Sequence, residues 1–125
     1  MAKSIYDIHD CYVEFVEGNN GKVRPVLILD WCTIEPDKVY FYKITSQYSN
    51  KPEHIRKGYF PIKHWQHANL TRPSYVDIYE LQFLSVDEFT ANQGHHRGSL
   101  HSDDIRDFGA FLQQRHQEAG KASAS

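Results

Sequence analysis

Arg24 stands directly before Pro25 at the mouth of the apolar run Val26-Leu-Ile-Leu29, and Thr45-Ser46-Gln47 closes a second strand-like stretch. These residue types suit an anionic substrate. A guanidinium presents a planar fork that matches two phosphate oxygens, and with a pKa above ~12 it stays charged. It therefore fits charge stabilisation better than proton donation. The hydroxyls of Thr45 and Ser46 can donate hydrogen bonds to phosphate oxygens, and the Gln47 amide can orient a substrate or brace a loop. Lys51, Arg56 and Lys57 follow closely, with Tyr48, Tyr59, Phe60 and Trp65 nearby. Cations beside rings suit a nucleic-acid strand, because cations meet phosphates and rings stack on bases. A solvated loop with charges pointing several ways has the same composition. The acid–base group is less evident. His54 and His64 carry imidazoles of suitable ordinary pKa, although each also fits a plain surface histidine.

The charge distribution sharpens this reading. The net charge is −2, which by itself argues against an extended nucleic-acid surface. Residues 43–72, however, carry +5, between acidic flanks of −3 (residues 1–42) and −4 (residues 73–125).

Several elements must position these groups. Cys11–Glu17 alternates as a half-buried strand, and Asn20-Gly21 predicts a tight hairpin. Val23–Asp30 reads as a strand buried on both faces, with Pro25 requiring an edge or bulge because it has no N–H. Lys38–Thr45 is a third strand and Ser46–Gly58 a long polar loop. Tyr59–Ile62 reads as a short strand, Ile62–Ala68 as a helical turn carrying Trp65, and Pro73–Leu84 as containing a further strand. In that strand Asp77 and Tyr79 share a face, and Glu80 takes the other. Ser85-Val-Asp-Glu88 is a capping box that starts a short helix through about Ala91. Asn92–Leu100 reads as a Gly/His linker. Ser102 then caps a helix with Asp103 and Asp104 in its first turn and an apolar stripe of Ile105, Phe108, Phe111 and Leu112. Short strands followed by a C-terminal helix predict a mainly β, α+β fold, a small curled barrel with helical additions.

Three stretches, Lys22-Val-Arg-Pro-Val-Leu-Ile-Leu29, Ile44-Thr-Ser-Gln47 and Trp65-x-x-Ala-Asn-Leu-x-Arg-Pro-Ser-Tyr-Val76, together resemble the MazF/PemK family of bacterial toxins, in its PemK-like branch. The resemblance runs from about Cys11 to about Phe89. It implies a CcdB/PemK-type SH3-like barrel, usually a homodimer, and metal-independent, sequence-selective cleavage of single-stranded RNA. It also implies a cognate antitoxin that blocks the site. By motif position the family's active-site arginine and threonine fall on Arg24 and Thr45. Ser46, Gln47, Lys51, Arg56 and Lys57 then become expected substrate contacts. RNA is expected to enter between the Gly18–Lys22 hairpin loop and the Ser46–Lys57 loop. Some family members have an acidic residue where Tyr79 stands here, so Asp77, His54 and His64 are the alternatives for acid–base work. Two further readings keep the fold: a CcdB-like topoisomerase binder, and a catalytically inactive barrel that binds RNA or a peptide.

The remaining features bound the answer. The chain has 125 residues, enough for a single domain, expected over residues 1–120 with a flexible tail at 121–125. No apolar run approaches the roughly 20 residues of a membrane span, and the N-terminus has no apolar signal core, so a cytoplasmic protein with no membrane partner is expected. Cys11 and Cys32 read as free thiols. Gly94-His-His-Arg-Gly-Ser-Leu-His101, with Asp103 and Asp104, is rich in potential ligands. Adjacent His95 and His96 do not match standard zinc spacing, so no metal and no cofactor are expected. A Gly-rich phosphate loop and a G-x-S-x-G motif are both missing from the sequence.

Overall fold

The computed structural model describes residues 5–13, 22–32, 34 and 37–124. Among these, the strands are β1 (Asp7–Val13), β2 (Lys22–Cys32), β3 (Lys38–Thr45), β4 (Tyr59–Pro61), β5 (Tyr75–Ser85) and β6 (Gln93–Ser99). The helices are α1 (Glu53–Arg56), α2 (Val86–Asn92) and α3 (Ser102–Ala124). The strands form one antiparallel sheet in the order β4-β5-β3-β2-β1-β6. The mainly β, α+β class holds, but the sheet does not close into a barrel. Closure needs a continuous ladder at consistent tilt and stagger. Among the described residues, the two edges are the three-residue β4 and β6, and no ladder joins them.

Local chemistry accounts for most elements. Val26, Leu27 and Ile28 are fully buried, and alternation sends Leu27 to one face and its neighbours to the other. Leu27 joins Ile8, Ile44, Phe60, Val76 and Phe108 in the core beneath α3. Val26 and Ile28 join Cys11, Val39, Phe41 and Phe89 in a second core beneath α2. Pro25 sits in an interior strand, yet the β2–β3 ladder begins only at Val26, so its missing N–H costs that ladder nothing. Ser85 caps α2 by accepting the Glu88 N–H at 3.0 Å.

Three expectations change. The Gly/His segment is not a linker: β6 pairs with β1, with register shifts on either side of His9 and Asp10. The cap of α3 is His101 rather than Ser102, since Asp103 N–H donates to His101 Nδ1 at 3.0 Å. The strand expected at Cys11–Glu17 begins at Asp7. The helix backbone of α3 extends through Ala124. The Asn20-Gly21 turn and most of the Gly18–Lys22 loop lie outside the described residues.

The α3 stripe packs as its periodicity predicts, with Phe108 buried and Ile105, Phe111 and Leu112 against the same core. A polar clamp fixes the turn over residues 63–69 to this helix. Buried Asp104 accepts the N–H groups of Lys63 (3.1 Å) and His64 (2.9 Å).

Candidate active site

The antiparallel register brings the two motif residues together. Val26 pairs with Lys43 and Leu27 with Tyr42. Extending that register toward the strand ends sets Arg24 level with Thr45. Both line one cleft of about 130 Å³ with Ser46, Thr71, Arg72, Ser74 and Arg97. Both also line an adjoining cleft of similar volume with Lys43, Gln47, Lys51, Tyr59 and Asp77. Lys43 pairs with Asp77 on β5, and Asp77 in turn with Tyr59 on β4. Directly paired residues share a face, so the cations, the carboxylate and the phenol converge on the part of the sheet that α2 leaves uncovered.

Thr45 sits where β3 gives way to the polar loop. Its Oγ1 accepts the Gln47 N–H at 3.0 Å, which leaves the hydroxyl proton available to a substrate oxygen. The Gln47 side chain is used locally, as its Oε1 accepts from Asn50 Nδ2 at 3.2 Å. Ser46 and Gln47 also border a third, wider cleft with Tyr48, Ser49, Arg72, Pro73 and Tyr75. Tyr48 and Tyr75 stack there at 4.2 Å with an 8° interplanar angle, and the Arg56 guanidinium lies 5.6 Å from the Tyr48 ring centroid.

The other expected residues divide. Asp77 lines the cleft, and its Oδ1 accepts the Tyr79 N–H at 2.9 Å. Tyr79 donates its hydroxyl to the His54 carbonyl. His54 lies on the short helix α1 and borders none of the three clefts. His64 does not join Arg24 and Thr45 either: the Asp104 clamp turns it toward α3, where it stacks on His101 at 4.1 Å. Lys57 follows α1 as an exposed residue outside these clefts. The basic stretch is therefore split, with Lys51 entering the cleft and Lys57 outside it.

Sequence reasoning missed Lys43, Tyr59, Arg72 and Arg97 as site residues. Arg72 was within reach, since it lies inside the Arg-Pro-Ser-Tyr-Val motif. Arg97 had no local signal. It is the extra residue where Ile8 pairs with Gly98 but His9 with His96, and such bulges re-aim side chains. Its Nε donates to Asp10 at 2.6 Å and its Nη1 to the Asn69 carbonyl at 3.1 Å. Asn69 adopts φ 61°, a left-handed conformation that asparagine tolerates. Burial, then the charges of Asp77 and Tyr79, push the Tyr59 phenol above its ordinary pKa. Tyr59 therefore stays protonated at neutral pH.

Among solved structures, the chain is similar to the Mycobacterium tuberculosis toxin MazF-mt6, with a TM-score of 0.59 and 21% sequence identity. The match covers 89% of this chain and 96% of that chain. No protein-family model and no curated protein matches the sequence. The fold is that of a MazF-type toxin.

Proposed function

We propose that this chain is the toxin of a type II toxin–antitoxin pair and cleaves single-stranded RNA without a metal ion. The observation that carries this reading is the shared cleft of Arg24 and Thr45, reached from two strands. Attack by the neighbouring 2′-oxygen forms a new bond to phosphorus and breaks the bond to the 5′-oxygen. The products are a 2′,3′-cyclic phosphate and a 5′-hydroxyl. Arg24 stabilises the phosphorane charge, and the Thr45 hydroxyl donates to a non-bridging oxygen. Asp77 accepts the 2′-hydroxyl proton, and a proton from water goes to the departing 5′-oxygen. Lys51 and Arg72 hold flanking phosphates, and the Tyr48–Tyr75 stack offers a face for a base.

The +5 middle segment supports an antitoxin that docks an acidic stretch by charge steering. Tyr79, Leu81 and Phe83, each about half exposed on β5, support an apolar contact such as a homodimer needs. No described helix is long and apolar enough to cross a membrane, which fits the cytoplasmic location that this function requires.

Incubation with unstructured RNA in EDTA, followed by end-group analysis, tests the proposal. Wild type is expected to leave cyclic-phosphate and 5′-hydroxyl ends, and Arg24→Ala to lose about 10²–10³-fold in rate while remaining folded. Equal cleavage by Arg24→Ala would falsify this mechanism. Binding without cleavage would instead identify an inactive RNA-binding protein. Growth arrest with intact RNA and impaired supercoiling would identify a topoisomerase binder.

A further inference from the structure

We propose that Asp7, His9 and His96 form a binding site for a divalent transition-metal cation, with zinc the best chemical fit. The inference is independent of the RNA reading, because none of these residues borders the clefts around Arg24 and Thr45.

The site is built on strands. Asp7 and His9 are two apart on β1 and so share a face. His96 is the cross-strand partner of His9 on β6. Each residue offers one donor atom, and the three donors lie within 4.8 Å of one another. Asp7 Oδ2 and His96 Nε2 are 3.4 Å apart. That is longer than the ~2.7–3.2 Å of an N–H···O bond. It matches the roughly 3.3–3.4 Å between two ligands on a tetrahedral ion with bonds of ~2.0–2.1 Å. Ser99 Oγ donates to Asp7 Oδ1 at 2.8 Å, an outer-shell bond that turns Oδ2 toward the site.

The histidine rings support convergence. Those of His9 and His96 cross at 71° with centroids 4.9 Å apart, so their in-plane lone pairs can meet at one point. A second cluster, His64, His101 and Asp103, lacks this property. Its imidazoles lie nearly parallel, at 25° and 4.1 Å, and His101 Nδ1 is already bonded to the Asp103 N–H. Parallel lone pairs do not converge on one ion.

Two imidazoles and one carboxylate favour zinc, nickel or cobalt over magnesium or calcium, which prefer all-oxygen shells. Three protein ligands leave a fourth position for water or an added donor. The Phe89 ring, 5.6 Å from that of His9, walls the inner side, and half-exposed His96 gives the ion an entry path. A bound ion would stitch the irregularly paired edge strand β6 to β1. It would thereby hold the neighbouring Arg97 in the cleft.

The untagged full chain, stripped with a chelator and dialysed, would be titrated with zinc by calorimetry and with cobalt by visible absorption. The expected result is one equivalent bound, an intense cobalt d–d band, and a higher Tm with zinc. His96→Ala should weaken binding beyond the roughly 10–100-fold loss typical of an outer-shell change. His64→Ala should leave it unchanged. Far-UV circular dichroism checks each fold, and Asp7→Asn carries the same test if His96→Ala does not fold. Wild-type affinity in the β1 or β6 variant, equal loss in His64→Ala and His96→Ala, or no saturable binding by wild type would each overturn the proposal.

Discussion

The Thr45 hydroxyl oxygen accepts from Gln47, and in the proposed reaction its proton is offered to the substrate. Thr45→Ser should keep both functions. Thr45→Val should lose the donor at nearly constant volume, cutting the RNA-cleavage rate by about 10²-fold, as single-turnover assays would show. Arg24 and Thr45 were legible because each sits inside a short motif at a strand end. His64 lies apart from that pair, and residue type alone does not say which way an imidazole points. Its direction is set by the Asp104 clamp, across a separation of 40 residues.

Among the elements, α3 was legible from its Ile105, Phe108, Phe111 and Leu112 stripe, and α2 from its capping box. What α3 does for the 63–69 turn was not. Asp104 looked like a first-turn acid favoured by the helix dipole, yet it is buried and satisfies two backbone donors. Asp104→Ala should cost roughly 1–3 kcal/mol by urea denaturation, because those donors lose their acceptor. Asp104→Asn, which keeps one carbonyl oxygen, should cost less. β6 escaped notice because Gly94, Gly98 and two adjacent histidines have low strand character. It forms because β1 offers an open edge.

At the scale of the whole molecule, two cores on opposite faces of one sheet set the response to alkali. Burial raises the Cys11 thiol from 9.0 to about 11. Burial likewise raises Tyr42, and burial with the charges of Asp77 and Tyr79 raises Tyr59. In each case the fold favours the neutral form, so the folded pKa exceeds the unfolded one. The linked stability is complete below pH 9 and is lost as pH rises through about 11 for Cys11. Thermal melts should show Tm falling across that window, and Cys11→Ala should flatten part of the fall. The charge pattern was legible at this scale: a basic middle with acidic ends became a cationic cleft. The same cleft also draws Arg97 from the acidic C-terminal part.

The sequence by itself determined the strand and helix chemistry, the mainly β class, the apolar faces and the two motif residues that meet. All of these follow from periodicity, caps and turn residues within a few positions of one another. Tertiary structure alone decided the open sheet, the place of β6 and the company of the cleft. Arg97 meets Asp10 across 87 residues, and Asp7 meets His96 only because β6 pairs with β1 in one register. A one-residue slip turns every side chain to the other face. Such contacts depend on the lowest-energy pairing of distant strands, which no local pattern encodes.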